Sequence, residues 1–388
     1  MNIKEKDAKY VAHTYGRFPL EIVGGKGSVV FDENGKAYID LGTGIAVNSF
    51  GVADDEWKSA VTEQINKVQH MSNLYYTVPC VELAEMLCEK TGMKKVFFGN
   101  SGAEANECAI KTARRWAFLK YGDESHSTII TLKNSFHGRT ITTLAATGQD
   151  NFHTEFGPFT GGFVYADPTD ASDVEKLACE NKCAAIMIEV VQGEGGIYQL
   201  TKEYVEGVVK TAEKHDLLII VDEVQTGNGR TGKFYGYMHY GLKPDIVSTA
   251  KGLAGGLPLG AALLGERVED VLTPGSHGST FGGNPVSCAA AVSIVKRIDD
   301  KLLAGVSEKS DYIVRALTGA PGVKSVSGLG FMLGIETEKP AKDVIAECME
   351  KGVLVLSAKN KVRLLPALNI PQDKLEKAIN ILKEVIAQ

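Results

Sequence analysis

The chain predicts an α/β protein with a mainly parallel sheet flanked by helices, joined to a smaller α+β domain. Three observations lead there. From about Trp57 to Ala291, short apolar runs alternate with segments of helical length. The runs are continuous rather than alternating, as in strands covered on both faces. Several end abruptly in a charge or a small-residue turn, and open parallel sheets bind ligands outside the carboxyl ends of their strands. At 388 residues the chain exceeds what one compact core normally holds, so two domains are expected.

The elements follow in order. Residues 1–50 read as an amino-terminal segment joining the small domain. Ser28 to Phe31 and Ala37 to Leu41 flank Asp32-Glu33-Asn34-Gly35-Lys36, a hairpin pattern. Residues 51–290 form the large domain. Its strands are expected at Lys95 to Phe98, Thr128 to Leu132, Ala185 to Glu189, Leu218 to Asp222 and Ile246 to Ala250, with Ala261 to Leu264 as an antiparallel addition. Glu104 to Trp116 and Glu203 to His215 are the intervening helices. Residues 291–388 change to an α+β pattern, with helices at Val292 to Leu303, Ala341 to Lys351 and Leu375 to Val385 around strands such as Phe331 to Ile335.

Composition excludes several functions. A hydrophobic content of 44% with 23% charged residues is that of a globular protein. The net charge of −6 argues against nucleic acid. Met1-Asn2-Ile3-Lys4-Glu5-Lys6-Asp7 lacks the apolar core of a secretory signal, and no apolar run reaches the length of a membrane span. Seven scattered cysteines read as small buried thiols of a reducing cytoplasm. Cys179 and Cys183 lie closest, but no second pair or nearby His completes a zinc set, so no metal is expected.

The strand ends carry the chemistry. Leu218 to Val221 runs into Asp222-Glu223, and Ile246 to Ala250 runs into Lys251 and a glycine-rich stretch. A lysine there can form a Schiff base with an aldehyde, and a buried carboxylate can pair with a protonated pyridine nitrogen. Pyridoxal 5′-phosphate needs both. Asn100-Ser101-Gly102-Ala103-Glu104 joins a strand to a helix start, where Ser101, Gly102 and Ala103 would hold a phosphate or merely cap the helix. In Phe136-His137-Gly138-Arg139, Phe136 offers a ring to stack on pyridine and Arg139 a fork for a substrate carboxylate; a packed Phe and a surface Arg are the alternative. Gln192-Gly193-Glu194-Gly195-Gly196 places the Glu194 charge at another strand end. Val224 and Gln225 stand close enough to Asp222 to pack beneath the ring and bond its phenolic oxygen. Arg363, in the apolar frame Lys361-Val362-Arg363-Leu364-Leu365-Pro366, requires a carboxylate partner, in a salt bridge or a substrate clamp. Gly227-Asn228-Gly229-Arg230-Thr231-Gly232-Lys233-Phe234 imitates a P-loop, but Phe234 stands where a magnesium-binding Ser or Thr belongs.

With these residues in hand, the chain resembles the class III (ω-amino acid) pyridoxal-phosphate-dependent aminotransferases. The likeness runs from Tyr15-Gly16-Arg17-Phe18-Pro19, through Asn73-Leu74-Tyr75-Tyr76 and Ser279-Thr280-Phe281-Gly282-Gly283-Asn284-Pro285, to Val362 to Leu368. It implies the fold type I architecture and a homodimer with shared active sites. It implies Lys251 as Schiff-base lysine, Asp222 as pyridinium partner, Phe136 and Val224 on the two ring faces, Gln225 near the phenolic oxygen, and Ser101, Gly102 and Ala103 on the phosphate. Thr280 would reach the phosphate of the other subunit's cofactor. Arg363 would take an α-carboxylate, Arg139 a distal one, and Glu194 would swing to pair with Arg363. The implied reaction moves the terminal amine of N-acetylornithine to 2-oxoglutarate; ornithine, succinylornithine and 4-aminobutyrate remain alternative donors. Gly44 to Asn48 lacks the Tyr with which ornithine-specific relatives recognise a free α-amino group. Val190, where such enzymes often carry Pro, and the Val52-Ala53-Asp54-Asp55 turn depart from the pattern without touching the chemistry. An aminomutase on the same scaffold is disfavoured by two arginine clamps, and a regulator that binds the cofactor without catalysis is disfavoured by the lack of a basic extension.

Overall fold

The computed structural model describes residues 1–388. Seven strands form the large sheet in the order Lys95–Gly99, Gly260–Leu264, Ile246–Thr249, Leu218–Asp222, Cys183–Ile188, Thr128–Leu132, Phe163–Ala166. Gly260–Leu264 runs antiparallel to both neighbours, and the remaining pairings are parallel. The unbroken apolar runs have the expected cause. Ile186, Ile188, Ile219 and Val221 enter a 38-residue core on one face, whereas Ala185, Met187, Leu218 and Ile220 enter a 13-residue core on the other. Successive side chains point to opposite faces, so a strand buried twice must be apolar throughout. The edge strand Phe163–Ala166 was not anticipated; three of its four residues are only half-buried, which weakens the apolar signal.

A second core of 24 residues organises the carboxy-terminal region. There the strands Val323–Leu329, Met332–Thr337, Lys361–Leu364 and Leu356–Ala358 form an antiparallel sheet in that order. Helices Asp300–Leu317, Ala341–Glu350 and Gln372–Ala387 cover it. The amino-terminal hairpin joins this half of the molecule. Ala37–Asp40 pairs in parallel with Val353–Leu354, and Ile39 and Leu41 lie in the second core.

The expected helix over Val292 to Leu303 is two helices, Pro285–Val295 and Asp300–Leu317. Asn284 caps the first, with Pro285 in its first turn, and Asp299 caps the second by accepting the Leu302 N–H at 2.8 Å. A cap inside a long apolar pattern starts a new helix rather than continuing the old one. The cysteines also depart from expectation, because Cys179 is exposed and Cys80 and Cys88 are half-buried.

Candidate active site

Five strand ends of the large sheet and the loops that follow them surround a cavity of about 600 Å³. Ten of the twelve site residues expected from the sequence line it: Ser101, Gly102, Ala103, Phe136, Arg139, Glu194, Asp222, Val224, Gln225 and Lys251. Arg363 joins from the carboxy-terminal sheet through Nη1, which donates to Glu194 Oε1 at 2.6 Å and to Gln225 Oε1 at 3.3 Å. Thr280 does not line the cavity. It lies exposed in a loop whose neighbour Ser279 accepts a bond at 3.1 Å from Asn100, a cavity residue.

Asp222 closes its strand in full burial and is held on both oxygens. Asn106 Nδ2 donates to Oδ2 at 2.8 Å, His137 Nδ1 bonds the same oxygen at 2.8 Å, and the Val224 N–H donates to Oδ1 at 2.9 Å. Burial acts to lower the His137 pKa, but the Asp222 bond and the nearby negative charges outweigh it and leave it raised. Glu189 lines the same cavity, accepts the Phe136 and Gly193 N–H groups at 2.8 and 3.3 Å, and is pushed up to about 7 by burial.

Lys251 follows its strand with φ +43°, a left-handed conformation that costs a non-glycine residue energy and persists where surroundings impose it. Burial lowers the pKa of its amine despite the charges of Glu194 and Asp222, which puts more of the neutral, nucleophilic form within reach of neutral pH. Glu194 behaves oppositely: burial would raise it, but the Arg363 charge and hydrogen bond bring it below the usual carboxylate range.

The anion end of the cavity is a helix start. Ser101 caps the 20-residue helix Gly102–Tyr121 by accepting the Glu104 N–H at 3.2 Å, which leaves earlier N–H groups of the first turn without intrahelical partners. Two glycines permit this packing. A Cβ on Gly260 would lie 2.1 Å from Ser101 O, and one on Gly102 would lie 2.7 Å from Val224 Cγ1. This donor set fits pyridoxal phosphate: unpaired N–H groups for phosphate, an amine for the aldehyde, and a held carboxylate for the ring nitrogen.

Sequence reasoning missed Asn106, His137 and Glu189. Glu189 carried a readable signal, since it ends an apolar run as Asp222 does. His137 and Asn106 carried none, because their partner lies 85 and 116 residues further on.

Comparison with known proteins agrees with this geometry. The family described as aminotransferase class-III matches residues 10–386. Among curated relatives, acetylornithine aminotransferase of Haemophilus ducreyi is 49% identical over all of this chain and 98% of its own length. The protein of that name from Aquifex aeolicus is 44% identical over 97% of this chain and 100% of its own. Among solved structures, an ornithine aminotransferase of Toxoplasma gondii superposes with TM-score 0.94 at 31% identity, covering 99% of this chain and 93% of the other. N-acetylornithine aminotransferase of Stenotrophomonas maltophilia gives TM-score 0.85 at 31% identity, with 99% and 98% covered. Fold, cavity chemistry and full-length likeness converge, and the chain belongs to the class-III aminotransferase family.

Proposed function

We propose that this enzyme transfers the terminal amine of N-acetylornithine to 2-oxoglutarate, giving N-acetylglutamate semialdehyde and glutamate, as a step of arginine biosynthesis in the cytoplasm. The observation that carries the reading is the Glu194–Arg363 pair at 2.6 Å, at the wall of a cavity that Arg139 also lines. Glutamate has carboxylates at both ends and engages both arginines once Glu194 withdraws. N-acetylornithine, reacting at its terminal amine, brings one carboxylate, which suits Arg139. Arg363 would then be a buried charge without an anion, and Glu194 supplies one. Val47 lines the cavity within the segment where ornithine-specific relatives place a phenol, which supports the acylated donor over ornithine.

When bound, pyridoxal phosphate supplies an aldehyde that condenses with amines and a protonated ring that accepts negative charge built up at the substrate carbon. Lys251 Nζ would hold the cofactor's aldehyde, and its amine is placed to carry the proton from the amine-bearing carbon of the substrate. Asp222, fixed by Asn106 and His137, would pair with the protonated ring nitrogen. Phe136 and Val224 would pack on the ring, Gln225 would meet the phenolic oxygen, and Ser101, Gly102 and Ala103 would hold the phosphate. Thr280 would reach the second subunit's phosphate in a homodimer with shared sites. Exposed Leu74, Tyr75, Tyr76 and Phe281, at 87, 64, 99 and 60% exposure, are an apolar surface suited to that contact.

The test is the visible absorbance of the cofactor-loaded protein. N-acetylornithine alone is expected to bleach it, and 2-oxoglutarate to restore it. A spectrum that responds to glutamate but ignores N-acetylornithine would overturn the substrate.

A further inference from the structure

Helices Ala171–Glu180 and Lys202–His215 pack on the outer side of the large sheet, away from the cavity. Gly207 allows a close approach, since a Cβ there would sit 2.5 Å from Ala171 Cβ. Glu175 and Cys179 are four residues apart, on one face of the first helix. His215 ends the second helix and reaches across to both. Its Nε2 lies 3.0 Å from Glu175 Oε1 and 3.8 Å from Cys179 Sγ, and Sγ lies 3.6 Å from the same carboxylate oxygen. No other three His, Cys, Asp or Glu side chains converge in this way.

We propose that Glu175, Cys179 and His215 form a three-ligand site for one zinc ion, an assignment that no active-site residue shares. The argument is dimensional. Tetrahedral zinc with bonds of about 2.3 Å to sulfur and about 2.0–2.2 Å to nitrogen and oxygen keeps its ligand atoms about 3.3–3.7 Å apart. The observed edges of 3.0, 3.6 and 3.8 Å fall within about 0.3 Å of that range. Three protein ligands leave the fourth position to water. A thiolate with an imidazole selects zinc over magnesium or calcium, which demand oxygen. Binding requires the Cys179 thiolate and an unprotonated His215 Nε2, so any protons on those two atoms pass to solvent. Lys214, whose ammonium donates to Glu175 Oε1 at 2.5 Å, is the competitor and shifts to the second carboxylate oxygen. The sequence concealed the set, because Cys179 neighbours Cys183, which is buried at a strand start, while the histidine comes from 36 residues on.

The ion would pin the segment leading into Leu218–Asp222 at the end remote from Asp222, so stability should respond while turnover does not. The experiment titrates cofactor-loaded protein, free of amino acids, with cobalt(II) as a spectroscopic stand-in for zinc. One equivalent with thiolate-to-metal charge transfer and tetrahedral visible bands is expected. Cys179→Ser, at an exposed position, should fold, keep its activity and lose the charge-transfer band. Lys214→Ala should tighten binding by up to about fivefold, the worth of an exposed ion pair. Thiolate charge transfer that persists in Cys179→Ser, or wild-type protein that takes up no cobalt, overturns the assignment. Both readouts are independent of transamination.

Discussion

Asp222 and Glu223 are neighbours, both buried and both at the end of one strand, yet they face different worlds. Asp222 is held by two side chains, Asn106 and His137, and opens on the cavity. Glu223 points the other way and accepts only local donors: the Gly236 and Tyr237 N–H groups at 2.8 and 2.7 Å and the Thr226 hydroxyl at 2.6 Å. Burial pushes Glu223 up to about 7, because no cation compensates its charge. A carboxylate prepared for chemistry is fixed by side chains from distant parts of the chain, whereas one that merely ties a loop is left to neutralise.

The sharpest way to break that contrast is Asp222→Asn. Kinetics should show kcat/KM falling by about 10²–10⁴-fold, the usual worth of a positioned proton-managing group, with little change in melting temperature. A variant of near-normal activity would remove the distinction. Next in size is Glu194→Ala. Stopped-flow half-reactions should show the N-acetylornithine step slowed by about 10–100-fold, because Arg363 loses its only anion, and the glutamate step slowed far less. Equal losses would mean Glu194 is no switch. Asn106→Ala removes one of the two side chains on Asp222 and should cost about tenfold in kcat, consistent with losing a bond to a charged group.

Glu223→Gln should leave kcat within about twofold and instead lower stability by about 1–3 kcal/mol, the cost of mismatched buried donors. The pH dependence sharpens the point. An acid whose folded pKa is raised from 4.5 to about 7 binds a proton in the native state that the unfolded chain releases. Its contribution is therefore present below the unfolded value and lost as pH rises through the folded one. Urea midpoints of wild type and Glu223→Gln should converge between pH 5 and pH 8, as the wild type loses stability that the amide never had. A gap independent of pH would show that Glu223 does not titrate there.

The same contrast explains what could be read from sequence. Leu218 to Asp222 announced itself because a doubly covered strand must be apolar until its end, so the first charge marks the edge of the core. Ser101-Gly102-Ala103 was legible because capping and close approach restrict residue type locally. Asn106 and His137 were not, since nothing within a few residues requires an amide or an imidazole there; only Asp222, more than 80 residues away, does. Arg230 makes a related case. It sits in the stretch that imitates a P-loop, yet its guanidinium is buried, donates to the carbonyls of Pro366 and Phe331, and lies near Asp40. Its burial lowers its pKa to about 9 despite the Asp40 charge. Its partners come from both ends of the chain, so no local pattern distinguishes a structural clasp from a phosphate loop.

The parallel pairing of Ala37–Asp40 with Val353–Leu354 has a consequence for synthesis. Ile39 and Val353 are 314 residues apart, so the hairpin emerges from the ribosome long before its fourth strand exists. At about 5–20 residues per second that interval is about 15–60 s. Throughout it the outer edge of Ala37–Asp40 presents unpaired backbone groups, an invitation to pair with another nascent chain. Chaperone demand in a cell making this enzyme should therefore track translation speed across the 314 codons between the two strands more closely than the stability of the finished fold.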